Sequence, residues 1–169
     1  MKNYEVLSDS CKICWIDNFK LNGEKHTQVS AYVFNEKNQL LIVKNGKTWT
    51  IPGGHPEQGE SQLQTLEREL MEEACVTVKD VRYLGAVEVV EDETYYQMRY
   101  TARVKDILPF KKEWEIDERL FIDLKDLPNY IKWSTGVTFS AQIEAAKKVW
   151  RIKKKYIIII KEFFRAFKL

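Results

Sequence analysis

Residues 53–76 read GGHPEQGESQLQTLERELMEEACV, in which a glycine-rich loop leads into a helical pattern. Ser61 is a favourable N-cap residue, and Gln64 three positions later completes a capping box. Four apolar residues recur at helical spacing and predict one stripe that packs on a core: Leu63, Leu66, Leu70 and Ala74. The segment therefore predicts a loop followed by an amphipathic helix.

The polar side of this helix concentrates carboxylates. Glu69, Glu72 and Glu73 lie within about 100° of one another around the helix axis. Like charges at these spacings repel by a few tenths of a kcal/mol per pair. A solvated acidic face is one interpretation, and a site for a hard divalent cation such as Mg²⁺ is the other. Gly53 and Gly54 favour the cation site, because glycine lets the backbone turn and bring a carbonyl close to an ion.

The segment from Gly54 to Val76 resembles the Nudix box of the MutT-like Nudix hydrolase family. That pattern is G-x5-E-x7-R-E-U-x-E-E-x-G-U, with U apolar, and eight of its nine specified positions match. Chance agreement at the six glycine and polar positions is on the order of 10⁻⁷ per start. Cys75 stands where the family has glycine. Because that position closes the helix with positive φ, we expect strain of about 1 kcal/mol there.

The resemblance implies an activity and a set of site residues. Nudix enzymes use Mg²⁺ or Mn²⁺ to hydrolyse a nucleoside diphosphate linked to another group. It implies catalytic and metal-binding roles for Glu69, Glu72 and Glu73, with the Gly54 carbonyl as a further ligand. Glu60 would support the site from the loop, and Arg68 would orient a glutamate. Some members take a ligand or base from a later loop, for which Glu115 and Glu118 are candidates here.

Substrate selection lies outside the box. Trp49 and Tyr96, with their neighbours Tyr95, Gln97 and Tyr100, are candidates to stack on or hydrogen-bond a base. Arg99 and Arg103 alternate along a strand, so they are candidates for phosphate contact. Packing in the core is the alternative for the aromatic residues, and solvent-facing charge is the alternative for the arginines. His55 follows Gly54 and forms no catalytic triad.

Hairpin-rich strand blocks with an early and a late helix predict an α+β domain or a layered α/β/α domain. The resemblance implies an α/β fold, a Nudix-like α/β/α sandwich around a mixed β-sheet. The strand segments are 27–34, 40–43, 49–51, 76–90, 95–104 and 120–122, with residues 91–94 as an acidic hairpin loop. A late helix is predicted over 138–150. We expect a strand-containing N-terminal extension over 1–26, a Nudix domain over 27–148, and a basic amphipathic helix over 149–169.

The net charge of +2 hides an asymmetry. Nine Lys or Arg residues and one acidic residue lie between Ala146 and Leu169, so this segment carries +8 and the rest of the chain −6. Packing against the protein is the first interpretation of this basic tail, in this chain or in a homodimer. An anionic membrane surface or RNA is the alternative.

Three cysteines provide no disulfide framework. Cys11 and Cys14 form one C-x-x-C, with no second pair or nearby histidine to complete a zinc site, so we expect plain thiols in a reducing compartment. The first twenty residues lack an apolar signal region, and the longest apolar run is too short for the roughly 20 residues of a membrane span. The sequence therefore predicts a cytoplasmic protein.

The first functional hypothesis is a metal-dependent pyrophosphohydrolase acting on a nucleotide-type substrate, with ordinary or oxidised nucleoside triphosphates foremost. Nucleotide sugars, dinucleoside polyphosphates and capped RNA are further substrate classes. A catalytically silent nucleotide-binding or regulatory module of the same fold is the alternative. It is disfavoured because such relatives usually lose helix carboxylates, whereas this chain has all three.

Overall fold

A computed structural model describes residues 2–111 and 115–152. Nine strands make up the sheet: β1 Glu5–Ser8, β2 Cys11–Asp17, β3 His26–Phe34, β4 Leu40–Asn45, β5 Thr48–Thr50, β6 Gly53–Gly54, β7 Val76–Val90, β8 Thr94–Ile107 and β9 Glu118–Ile122. The α-helices are α1 Gln62–Ala74, α2 Leu127–Tyr130 and α3 Val137–Trp150. No helix among the described residues is long and apolar enough to cross a bilayer.

The sheet is mixed. Its strand order is β1-β2-β7-β8-β3-β4-β5, with β6 paired to β3 and β9 paired to β4. The β3–β8 pair is parallel, and the other pairs of the described residues are antiparallel. The predicted β7–β8 hairpin is confirmed. Strands β3 and β4 pair only at Phe34 and Leu40, because β6 pairs with the same edge of β3 at Val29 and Ser30, while β8 pairs with its other edge.

Both faces of the sheet are covered, which explains why the second half of β3, from Ala31 to Phe34, is apolar throughout. Val29, Ala31 and Val33 point into the core beneath α1, whereas Tyr32 and Phe34 point into the core beneath α2 and α3. The α/β/α sandwich expected from the resemblance is confirmed. The chain thus presents two separate faces on which a site can be built.

Helix α1 begins and ends as its sequence predicts, with one exception along its stripe. Ser61 and Gln64 form the reciprocal capping box, and Cys75 closes the helix in the left-handed conformation with φ 48°. Leu66, Leu70 and Ala74 are buried with Thr65, but Leu63 is half exposed. The prediction for Leu63 was wrong, because the first turn of α1 extends past the edge of the core.

The N-terminal strands belong to the same sheet as the rest of the chain. Strand β2 pairs with β7 from Lys12–Val90 to Asp17–Gly85, and β1 pairs with β2. The Glu5 carboxylate also accepts the Thr138 N–H at 2.7 Å. Because α3 has no side-chain cap of its own, this contact satisfies one of its free N–H groups.

Helix α3 ends at Trp150, and Arg151 follows in the left-handed conformation with φ 51°. Val149 and Trp150 are therefore the last residues of α3 and not the first turn of a separate helix. The greater part of the basic tail predicted over 149–169 lies outside the described residues.

Cys11 and Cys14 lie on β2 and are free thiols, as is Cys75. Cys11 and Cys14 are three residues apart, so their side chains leave opposite faces of the strand. This arrangement agrees with the expected plain thiols.

Candidate active site

The loop before α1 lies directly against the helix carboxylates. The Gly53 N–H donates to Glu73 Oε2 at 2.8 Å. A Cβ on Gly54 would lie 2.3 Å from Glu69 Oε1, so the bare backbone lets this carboxylate approach. Gly53 has φ 142°, and a Cβ there would lie 2.3 Å from the Val29 carbonyl oxygen. Glycine is therefore required by the sheet at Gly53, whereas at Gly54 it leaves room for the Glu69 carboxylate.

Arg68 organises the carboxylates. Its guanidinium makes a two-point contact with Glu60, at 2.8 and 3.0 Å. It also donates to Glu69 at 2.9 Å, to Glu72 at 3.1 Å and to the His55 carbonyl at 3.0 Å. This geometry agrees with the orienting role that the resemblance implies for Arg68, and it places Glu60 behind the arginine.

The ionisation of the site follows from these contacts. The hydrogen bond from Arg68 lowers the pKa of Glu60 to about 2, and the same contact raises the pKa of Arg68. Burial raises the pKa of Glu69. Burial also raises the pKa of Glu73 to about 7, against the opposite effect of the Gly53 N–H. A loop carboxylate with a lowered pKa beside two helix carboxylates with raised pKa values is typical of a functional site.

The donor set fits a hard divalent cation. Glu69, Glu72 and Glu73 supply carboxylate oxygens, and Gly54 is shaped to bring its backbone against one of them. Among residues 2–111 and 115–152, no three His, Cys, Asp or Glu side chains already hold the arrangement of a metal site. Arg68 bridges Glu69 and Glu72. Arg68 therefore holds these two glutamates near each other, while Glu60 holds the arginine.

The structure places the two later carboxylates elsewhere. Glu118 lies on β9, is about half exposed and pairs with Lys44 at 2.6 Å. Glu115 accepts from the Asn45 side chain at 3.2 Å. Within the described part of the chain, no hydrogen bond or ion pair joins Glu118 to α1. The expected role of Glu118 as a metal ligand is therefore not supported by its position, because register with Lys44 fixes it on the strand.

The predicted substrate residues separate into two groups. Arg99, Tyr95 and Gln97 line a cavity on the α3 face of the sheet. Trp49 instead packs edge-on against Tyr130, with ring centroids 5.4 Å apart.

Tyr96 points to the α1 face, because it alternates with Tyr95 and Gln97 along β8. It stacks on Phe19 with ring centroids 4.2 Å apart, and its hydroxyl donates to Glu88 at 2.8 Å. Trp49 and Tyr96 are thus held by aromatic packing in this structure, and their substrate roles stay a prediction.

Arg103 and Tyr100 also have structural partners. Arg103 donates to the Asn35 carbonyl at 2.8 Å and lies over the Trp150 ring, 4.8 Å from its centroid. The Tyr100 hydroxyl donates to Gln62 at 2.6 Å. Arg103 holds the end of α3 on the sheet, and Tyr100 holds the start of α1.

The polar residues of the cavity that the sequence did not predict include Gln28, Ser30 and Gln142. Gln28 and Ser30 share one face of β3, so the alternation of polar with apolar residues along this strand could have indicated a polar site on that face. Gln142 carried no such signal, because it lies on a helix whose placement over the sheet is a matter of tertiary structure.

The NUDIX domain family model matches residues 24–141, which is more than half of the chain. The chain belongs to the Nudix family. The match excludes most of the N-terminal segment and the basic tail.

Curated Nudix relatives are similar over part of their length. The 8-oxo-dGDP phosphatase NUDT18 of Danio rerio is 36% identical over 92 residues, which is 46% of this chain and 28% of the relative. The isopentenyl-diphosphate Delta-isomerase of Rhizobium rhizogenes is 34% identical over 67 residues, which is 34% of this chain and 31% of that enzyme. The aligned regions thus span less than a third of each relative.

Solved Nudix structures share the fold. A mutant form of the Bacillus subtilis pyrophosphohydrolase BsRppH superposes with a TM-score of 0.71 and 15% identity, covering 85% of this chain and 94% of that one. At this identity the similarity shows the architecture alone.

Proposed function

We propose that this chain is a divalent-metal-dependent hydrolase that cleaves the pyrophosphate linkage of a nucleoside diphosphate joined to another group. The observation that carries the proposal is the contact of the Gly53–Gly54 loop with Glu69 and Glu73. An ordinary or oxidised nucleoside triphosphate is the foremost substrate class. The name of the Danio rerio relative, an 8-oxo-dGDP phosphatase, supports an oxidised nucleotide.

The proposed cofactor is Mg²⁺ or Mn²⁺, held by Glu69, Glu72, Glu73 and the Gly54 carbonyl. When bound, such an ion neutralises pyrophosphate charge and lowers the pKa of a coordinated water. These four groups are oxygen donors, which match the preference of both ions.

The protein residues supply positioning and proton transfer. The Gly53 N–H fixes the direction of the Glu73 carboxylate, and Arg68 fixes Glu69 and Glu72 from the opposite side. Glu69 or Glu73 takes the proton of the attacking water, since each is partly withdrawn from solvent on the side that faces the loop. Arg68 is a positioning residue, because its contacts are to carboxylates and to the loop backbone.

A substrate panel tests this function. The panel contains nucleoside triphosphates with and without an 8-oxo base, nucleoside diphosphates, nucleotide sugars, dinucleoside polyphosphates and capped RNA, each with Mg²⁺. Ion-exchange chromatography would detect the released monophosphate, phosphate or pyrophosphate. Isopentenyl diphosphate is included because of the isomerase similarity. Hydrolysis of a nucleotide that stops on metal removal supports the proposal.

Glu73→Gln is the decisive variant. It keeps the size of the side chain and removes the charge, so we expect turnover to fall at least about 100-fold. Glu67→Gln is the matched control, because Glu67 is exposed on the same helix and has no hydrogen bond or ion pair among the described residues. Equal turnover by both variants would refute the assignment. Nucleotide binding without hydrolysis of any substrate would favour the silent binding module.

A further inference from the structure

A cavity of about 380 Å³ lies on the α3 face of the sheet. Its walls include the apolar residues Ile51, Val87 and Phe139, and its polar lining centres on Arg99. Ligand pockets are mostly apolar with a few placed polar groups, and they begin at roughly 300 Å³. The cavity therefore has the size and character expected for one small, flat group.

Arg99 is a buried cation without a carboxylate partner among the described residues. It is 8% exposed, and its guanidinium donates to the side-chain oxygens of Gln142 at 3.0 Å, Gln28 at 3.1 Å and Gln97 at 2.6 Å. Burial lowers its pKa to about 10, so it stays charged at neutral pH. A buried charge surrounded by neutral groups is costly, which indicates a site built to meet an acceptor-rich ligand.

The three glutamines are oriented by this arginine. Arginine carries five donors and no acceptor, so each glutamine must turn its oxygen toward Arg99. The Gln142 NH₂ donates to the Thr138 carbonyl at 3.0 Å. The NH₂ groups of Gln28 and Gln97 have no hydrogen-bond partner within residues 2–111 and 115–152, and both side chains line the cavity. The cavity thus offers donors, while the glutamine oxygens are already used.

Ser30 adds a second, independent observation. Its side chain lines the cavity, the residue is 1% exposed, and its hydroxyl has no partner among the described residues. Two carboxylates, Glu5 and Glu91, also line the cavity, but they accept from the Thr138 N–H and the Tyr95 hydroxyl. A ligand that brings hydrogen-bonding groups would satisfy the buried hydroxyl, which an apolar ligand would leave unpaired.

The cavity borders the segment that leads into the candidate active site. Ser30 lies opposite Gly53 in register, and the Gly53 N–H holds Glu73. Thr50 and Ile51, which precede the glycine loop, also line the cavity. A nucleotide with its phosphates at the loop would therefore have its base within reach of this cavity.

We propose that the cavity binds the nucleobase of the substrate, and that Arg99, Gln28 and Gln97 select a base with a carbonyl edge, of the guanine type, over adenine. Glutamine normally reads adenine by pairing its oxygen with the amino group and its NH₂ with N7, whereas arginine pairs with the O6 and N7 of guanine. Here Arg99 holds the oxygens of Gln28 and Gln97 and also donates to the Met98 carbonyl at 3.3 Å, so these two glutamines present their NH₂ donors to the base. The inference rests on the proposed function and names the substrate class of the same site.

Binding of nucleoside monophosphates tests the inference without turnover. The probes are dGMP, 8-oxo-dGMP and dAMP, titrated into the full chain by calorimetry. Since dGMP and 8-oxo-dGMP share the O6 carbonyl, each should bind at least about tenfold more tightly than dAMP, given the roughly 1–3 kcal/mol that a good contact to a base edge discriminates. Equal binding of dGMP and dAMP would overturn the inference.

Gln97→Glu is the variant that isolates the mechanism. It keeps the oxygen that accepts from Arg99, adds a charge partner to a buried cation, and replaces the outward NH₂ donor with an acceptor. We expect the preference for dGMP over dAMP to fall at least about fivefold or to reverse. Gln64→Glu is the matched control, because glutamate also completes a capping box at that position and the residue lies outside the cavity. An unchanged dGMP-to-dAMP ratio in Gln97→Glu would contradict the proposal.

Melting curves establish that both variants are folded before titration. The two proposals fail in different ways. If the protein shows no base preference but its hydrolysis still depends on Glu73, only the proposed base pocket is contradicted. If the protein prefers dGMP but hydrolyses no substrate, only the proposed hydrolase activity is contradicted. The Glu73→Gln variant should keep the wild-type preference for dGMP.

Discussion

Arg68 lies on the α1 side of the sheet and Arg99 on the α3 face, and the charges around the two arginines differ. Arg68 lies among three carboxylates with which it forms close ion pairs, and its pKa is raised. Arg99 has only neutral oxygens around it, and burial lowers its pKa to about 10. The difference separates two kinds of site. In the first site the charge of the arginine is compensated by neighbouring carboxylates, whereas in the second it has no carboxylate partner among the described residues.

Gly54→Ala displaces the Glu69 carboxylate on the α1 side and has the largest expected effect on turnover. The new Cβ would lie 2.3 Å from Glu69 Oε1, and the flexible side chain would give way rather than the backbone. We expect turnover to fall on the order of 100-fold, the usual cost of a displacement of about 1 Å in a catalytic group. Steady-state kinetics with the best substrate of the panel, alongside a melting curve, measures this.

Gly46→Ala is the control for an added methyl group. Gly46 lies in the β4–β5 turn, where a Cβ would have no atom of the described residues within 4 Å. It has φ 57°, so alanine there should lower stability by roughly 1–2 kcal/mol and leave turnover per folded molecule unchanged. A Gly54→Ala protein with wild-type turnover would show that Glu69 does not need its position beside the loop.

Glu88 is a buried charged residue to set beside the two arginines. It is a carboxylate, and two of its hydrogen-bond partners come from the N-terminal segment. It accepts from Lys2 at 2.6 Å, Tyr4 at 2.5 Å and Tyr96 at 2.8 Å. Burial acts to raise the pKa of Glu88, but these hydrogen bonds together bring it below its ordinary value. We expect Glu88→Gln to reduce the free energy of unfolding by about 1–2 kcal/mol at neutral pH.

The pH dependence of that loss has a defined sign. A lowered pKa in the folded state contributes stability above the ordinary carboxyl pKa of 4.5, and this contribution disappears as the pH falls through the folded value. Urea unfolding at pH 7 and at decreasing pH below 4.5 should therefore show the two proteins converging. Glu93→Gln, which breaks the exposed pair with Lys25, should leave the midpoint unchanged at each pH. A constant gap between wild type and Glu88→Gln would contradict this account.

Cys75 has the smallest expected effect. Its φ of 48° strains a residue with a Cβ, whereas the family pattern has glycine there. Because Cys75→Gly and Cys75→Ala both remove the buried thiol, their difference isolates the backbone conformation. We expect the glycine variant to be more stable than the alanine variant by about 1 kcal/mol in thermal or urea unfolding. Equal stability would mean that the helix end relaxes to accommodate a side chain.

The candidate active site was largely predictable from residues 53–76, because local spacing fixes which side chains share a helix face and which glycines precede them. The capping box, the left-handed Cys75 and the contacts of Arg68 with glutamates agree with that prediction. The surroundings of Glu118 and Tyr96 could not be predicted in the same way. Their surroundings depend on strand register, which pairs Glu118 with Lys44 and turns Tyr96 toward the α1 face.

The sequence by itself determined the carboxylate helix, the loop that meets it and the family, since all three are written within one continuous segment whose periodicity is local. Only the tertiary structure decided the Arg99 cavity. Its lining comes from β3, β8 and α3, and its outer wall comes from β1 and β2, which lie outside the residues matched by the family model. No local pattern links residues so far apart, because their meeting depends on sheet order and on the helix that closes over it.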